Sequence, residues 1–270
     1  MSRIEVRDLE KRYDDAVVLE RMSLTVESGS FCALVGASGC GKTTFLKIIL
    51  GQEQATKGTL TIDGAPIAPE PDPDRGIVFQ RYSVFPHLTA LQNLILVADF
   101  KAAGPFARTF GVRRKEARVD AEALLERVGL AHARNRYPAE LSGGMQQRLA
   151  IAQTLLGRPK VLLLDEPFGA LDPGIRGEMH DLLREIWDET RMTILMVTHD
   201  ISEAFKLADR ILVFDKIRRD PQAPTAYGAH IAHDVPNNPA KPPVAGDLAR
   251  VARSLGARDN HPHQPEGESP

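Results

Sequence analysis

At 270 residues, with 43% hydrophobic and 26% charged residues, the chain has the composition of a folded globular protein with room for one large core or two modest ones. A formal net charge of −2 offers no general attraction to nucleic acid, and no nucleic-acid partner is expected. The most apolar runs, 161–164 and 211–214, have strand length and fall far short of the roughly 20 residues a membrane-spanning helix needs. The opening MSRIEVRDLEKRY is charged throughout, without the apolar segment of a secretory signal, so a cytoplasmic location is expected, with Cys32 and Cys40 reduced.

In chain order, Ile4 to Val6, Val17 to Val26 and Gly58 to Ile62 are β-like runs separated by the turn signals Asp14-Asp15, Ser28-Gly29 and Asp63-Gly64, which predicts an antiparallel layer. Phe31 to Val35 is an apolar strand leading into Gly36-Ala37-Ser38-Gly39-Cys40-Gly41-Lys42-Thr43, which matches GxxxxGK[ST], and a helix is expected from Thr43 to Leu50. A glycine-rich loop between strand and helix lets successive backbone N–H groups face phosphate oxygens, and the helix adds the positive end of its dipole. Residues Gly36 to Thr44 are therefore the candidate nucleotide cradle, with Lys42 as a point charge on the β- and γ-phosphates and the Thr43 hydroxyl as a Mg²⁺ ligand.

From Thr89 to Leu156 the pattern is mostly helical, with Val119, Ala123, Leu124 and Val128 spaced three to five residues apart. Within it, Leu141-Ser142-Gly143-Gly144-Met145-Gln146-Gln147-Arg148 places Ser142 at an N-cap position, and the two glycines leave the first amides of a second helix uncovered. Val161 to Leu164 is a strand ending in Asp165 and Glu166, where ligands sit in α/β folds; Asp165 is the expected Mg²⁺ ligand and Glu166 the group that polarises water. A helix over 174–190, a strand over 193–197, a helix over 201–208 and a strand over 210–214 then predict an α/β fold with a parallel sheet. The last 50 residues carry nine prolines, so 217–270 is expected to be an extended or disordered tail with one short helix near 247–255, and deleting 221–270 is expected to leave the activity of the rest of the chain largely intact.

LSGGMQQR resembles the signature motif of ABC ATPases, and the resemblance covers about residues 3 to 216. It implies a P-loop NTPase fold with a RecA-like parallel core, an antiparallel β subdomain and a helical subdomain at about 85–157, all within an ATPase domain at 1–216. It further implies that Tyr13 stacks on adenine, that Gln80 touches Mg²⁺ or water, that Asp172 lies in a D-loop along a dimer interface, and that His199 contacts the γ-phosphate. Leu141, Ser142, Gly143, Gly144 and Gln146 would then serve the ATP of a second, head-to-tail ATPase subunit.

Such proteins are partners of transmembrane permease subunits, which would dock near Tyr82, Val84, Phe85, Pro86 and Leu88, and indirectly of an extracytoplasmic solute-binding protein. That implies a peripheral position on the cytoplasmic face of the plasma membrane. The runs FGALDPGIRGEMH and MVTHDISEAFKLADRILVFD are similar to importer ATPases for nitrate, sulfonates and taurine, and the tail around 220–228 is similar to that of ATPases of urea-carboxylase-type systems. An exporter or lipid-transport ATPase would share the catalytic motifs. A soluble ABC ATPase of DNA repair or translation would usually add a coiled-coil insertion or a second ATPase unit, and neither is visible.

Overall fold

In a computed structural model, which describes residues 1–68, 72–79, 84–103, 112–216, 218, 222–223, 225–241 and 243–256, β1 (Ile4–Tyr13) and β2 (Ala16–Val26) fold back on each other at Asp14-Asp15. β3 (Phe31–Gly36) is buried throughout and leads through a glycine-rich loop into α1 (Lys42–Leu50). β4 (Lys57–Ile62) and β5 (Ala65–Pro66) return to the first layer and complete a four-stranded antiparallel sheet ordered β2-β1-β4-β5.

β6 (Arg75–Val78) precedes the helical region of α2 (Ala90–Ala103), α3 (Val112–Arg127) and α4 (Gly143–Leu156). Strand and helix then alternate as β7 (Val161–Asp165), α5 (Pro173–Thr190), β8 (Thr193–Val197), α6 (Ile201–Leu207) and β9 (Arg210–Asp215). The chain adds β10 (His230–Pro236) and α7 (Ala245–Gly256). The second sheet is ordered β10-β9-β3-β8-β7-β6 and is parallel except for β10.

The two-residue period of β3 divides the interior. Phe31, Ala33 and Val35 face the core shared with α2 to α5, while Cys32 and Leu34 face the core shared with α1 and the antiparallel sheet. A central strand covered on both faces is continuously apolar, as are 161–164 of β7 and 194–197 of β8. The strand carboxyl ends thereby stack in register, with Asp165 opposite Val197 and Gly36 opposite Phe214.

The C-terminal segment departs from the expected extended tail. β10 pairs antiparallel with β9 and covers what would be a sheet edge, and Ala229, Val235 and Val251 are fully buried. Residues 229–236 are also tied to the antiparallel layer: the Ala229 N–H donates to the Val18 carbonyl and the Glu20 N–H to the Ala229 carbonyl, both at 2.9 Å. Proline density over 50 residues hides an eleven-residue window, 225–235, that contains none. Pro236 falls at the end of this edge strand, where its missing N–H removes no central ladder bond.

The fold therefore does not close at residue 216, and truncation is expected to be harmful. Losing the burial of Val235 and Val251 alone costs about 3–6 kcal/mol. A chain ending at residue 216 is expected to melt about 10 °C below one ending at residue 256, as followed by circular dichroism, and equal melting would contradict the integral role of β10.

Candidate active site

Three chain segments deliver functional groups to the carboxyl edge of the parallel sheet. The first is the loop from β3 to α1. Gly36 has φ +156°, and a Cβ there would lie 2.4 Å from the Phe214 carbonyl oxygen, so only glycine fits. Gly41 has φ +88°, and its Cβ would strike Leu19 at 2.7 Å and Val18 at 2.9 Å. The loop Gly36-Ala37-Ser38-Gly39-Cys40-Gly41 is thereby pressed against β2 and β9. Lys42 is buried and folds back over it, donating to the carbonyls of Gly36 at 2.7 Å and Ala37 at 2.9 Å. Thr43 and Thr44 occupy the first turn of α1, whose first amides have no partner within the helix.

The second segment is the end of β7. Thr43 donates its hydroxyl to Asp165 Oδ1 at 3.1 Å. Burial pushes the Asp165 carboxyl above the ordinary carboxylate value, the Thr43 hydrogen bond opposes that, and the neighbouring Glu166 charge adds to it. Glu166 has φ +50°, a left-handed conformation that costs a non-glycine residue about 1–3 kcal/mol. The backbone holds it there: its N–H donates to Val197 at 3.0 Å, and its carbonyl accepts from the Gly169 N–H and from Gln147 Nε2, both at 3.4 Å.

The third segment follows β8. His199 is largely exposed, and its Nδ1 stands 3.6 Å from Glu166 Oε2, too long for a direct hydrogen bond. Asp200 caps α6 by accepting from the N–H groups of Ser202 and Glu203. Between the three segments lies a cleft of about 490 Å³, lined by Val18, Ser38, Gly39, Gly41, Lys42, Thr43, Thr44, Asp165, Glu166 and Val197.

Tyr13, at the end of β1, is 41% exposed, with Lys11 Nζ 4.6 Å from its ring centroid. Burial raises its phenol pKa, as does the Glu53 carboxylate facing it, while Thr44 on α1 opposes them; the tyrosine thus stands next to the phosphate-loop helix. Gln80 and Tyr82 lie outside the described residues.

Leu141 to Gln146 is not part of the cleft lining but forms the start of α4. Ser142 accepts from the Met145 N–H at 3.3 Å as N-cap, and Ser142 and Gly143 are exposed. Gly144 packs against the D-loop, where an added Cβ would be 3.2 Å from Leu171. Gln146 Nε2 donates to the carbonyls of Pro138 and Leu141, so this amide braces its own loop. Asp172 is exposed at the start of α5.

Two residues at this site escape motif reading. Gln147 is 1% exposed and bonds the Glu166 carbonyl, and no local signal separates it from Gln146, since both have buried residues three and four positions on. Asn93 is fully buried and binds the Phe85, Leu88 and Thr89 carbonyls, with the Phe85 N–H donating back at 2.8 Å. It holds the described part of the 82–88 segment so that Phe85 stays exposed.

The profile of the family described as ABC transporter matches residues 19–169, just over half of the chain. The chain belongs to the ABC transporter family. The ABC protein is 47% identical to the nitrate import ATP-binding protein NrtD of Synechococcus elongatus, over 73% of this chain and 69% of the relative. It is 40% identical to the aliphatic sulfonates import ATP-binding protein SsuB 1 of Paraburkholderia xenovorans, over 96% of this chain but only 66% of the relative. Its fold matches the dimeric structure of MJ0796, a bacterial ABC transporter cassette, with a TM-score of 0.73 and 29% identity over 87% of this chain and 99% of that one. It also matches the post-hydrolysis state of that cassette bound to ADP and Pi, with a TM-score of 0.71 and 28% identity over the same shares. Among the described residues, no helix of the ABC protein is long and apolar enough to cross a membrane.

Proposed function

We propose that this chain is the ATP-hydrolysing subunit of an importer for a small oxyanion, peripheral to the cytoplasmic face of the plasma membrane through separate permease subunits. The observation that carries this reading is the convergence of Lys42, Thr43, Asp165 and Glu166 on one cleft at the sheet's carboxyl edge, with His199 beside Glu166. Relatives named for nitrate and aliphatic sulfonates support an oxyanion over a urea-like solute.

Hydrolysis of ATP needs the γ-phosphate held, its developing charge stabilised and a water aligned. The amides at the start of α1 and the Lys42 ammonium hold the phosphates. Tyr13 offers its ring to adenine. Glu166 accepts a proton from the attacking water, and His199, 3.6 Å from Glu166, faces the same phosphate. The Thr43 hydroxyl and the Asp165 carboxylate, 3.1 Å apart, are hard oxygen donors that would suit Mg²⁺. When bound, Mg²⁺ supplies charge neutralisation to the phosphate oxygens.

Ser142 and Gly143 are exposed and, with the half-buried Gly144, stand outside this cleft, so they serve the nucleotide of a second subunit, with Asp172 on the shared face. The exposed Phe85, braced by Asn93, belongs to the surface that receives the permease.

Host cells lacking this chain are expected to lose ATP-dependent uptake of one oxyanion, restored by the wild-type chain but not by Lys42→Ala, whose ATPase rate falls about 10²-fold. Unchanged uptake of nitrate, sulfonates, sulfate and bicarbonate in those cells would refute the importer reading.

A further inference from the structure

α5 follows directly on the D-loop and α6 directly on His199-Asp200, and one buried polar pair joins the two helices. His180 on α5 and Glu203 on α6 are each 6% exposed, with Nε2 2.8 Å from Oε1. The His180 ring also stands edge-on to Phe168, with centroids 4.7 Å apart and planes at 74°, and Phe168 is two residues beyond Glu166. Glu203 is fixed through its backbone as well, because its N–H donates at 3.2 Å to the carboxylate of Asp200, the neighbour of His199. At its far end α6 is tied to α5 separately, by Arg184 donating to the Leu207 carbonyl at 2.9 Å. Loss of the His180 contact therefore frees the end of α6 nearest the cleft while the other end stays held.

A buried polar pair adds little stability over apolar side chains of the same volume, but its directional bond fixes where two elements sit. We propose that His180 is a positioning residue for hydrolysis. Through Glu203 and Asp200 it sets the first turn of α6, and through Phe168 it braces the loop after Glu166, so that His199 stays beside Glu166. The proposal rests on the roles of Glu166 and His199 given above. It separates two properties of the site: the phosphate loop, which binds nucleotide, does not touch this pair, whereas the groups that align water depend on it.

The test is steady-state ATP hydrolysis by the full chain, together with nucleotide affinity and melting temperature. His180→Ala alone strands a buried carboxylate and is expected to lower stability as well as rate, so the deciding variant is the double substitution His180→Leu with Glu203→Leu, which fills the space with apolar groups. That variant is expected to keep its melting temperature and ATP affinity while kcat falls about tenfold, since small misplacements of reacting groups are costly. His180→Gln, which keeps a donor for Glu203, is expected to recover kcat to within about threefold of wild type with KM unchanged.

Wild-type kcat in the double variant would overturn the proposal, as would a kcat loss matched by an equal loss of ATP affinity. Failure of the double variant to fold would show that the pair holds the fold rather than the site, and would overturn it too. Glu166→Gln assayed alongside separates the claims. Full turnover there removes the reading of Glu166 itself, whereas an inactive Glu166→Gln beside a fully active double variant removes only the role of His180.

Discussion

Glu166→Gln is expected to lower ATP turnover by about 10²–10⁴-fold while leaving nucleotide binding intact. The substitution preserves size and the backbone bonds that hold residue 166 at φ +50°, and it removes only the carboxylate that accepts a proton. Asp165 and Thr43 are untouched, so the cation-binding pair and the phosphate loop remain. Because binding survives and hydrolysis does not, ATP is expected to accumulate on the protein and to hold two copies together, seen as a dimer by light scattering with ATP and a monomer without it. Wild-type turnover in the variant would remove Glu166 as the proton acceptor.

Ser142→Arg is expected to reduce hydrolysis by about 10²–10³-fold, the loss seen when preorganised donors to developing charge are removed, without weakening ATP binding to the monomer. Ser142 and Gly143 are exposed at the start of α4 and are absent from the cleft lining, so an arginine there leaves the chain's own phosphate loop clear. The helix loses its Ser142 cap, worth about 1 kcal/mol, which is too little to unfold the domain. A large decrease in rate with unchanged monomer binding therefore reports on a site that the exposed start of α4 completes in another copy. Full hydrolysis by the variant would oppose a shared site.

Those features of the fold and site that rest on short-range patterns were legible in the sequence. β7 reads as a buried strand because VLLL is uninterrupted and apolar, and the strand–loop–helix at 31–50 reads because GxxxxGK[ST] needs that context. β10 was not legible because proline content averaged over the tail masked a proline-free window, and its partner β9 ends at Asp215, well before β10 begins at His230. Helix phase does not tell Gln147 from Gln146, because Leu149, Ala150 and Ile151 give both of them buried neighbours on the same face. His180 and Glu203, 23 residues apart on separate helices, carry no local signal, since a histidine and a glutamate on amphipathic helices are ordinarily solvated. The expected role of Gln80 falls outside the described residues.

A shared catalytic site is the central claim, and mixing the two variants addresses it most directly. A heterodimer of Ser142→Arg with Glu166→Gln contains one site with an intact Glu166 from the first copy and an intact signature segment from the second, whereas neither homodimer contains such a site. Phosphate release should therefore be measured after the purified variants are combined before ATP is added. The account predicts that the mixture hydrolyses ATP well above the sum of the two separate rates; a rate equal to that sum would contradict it.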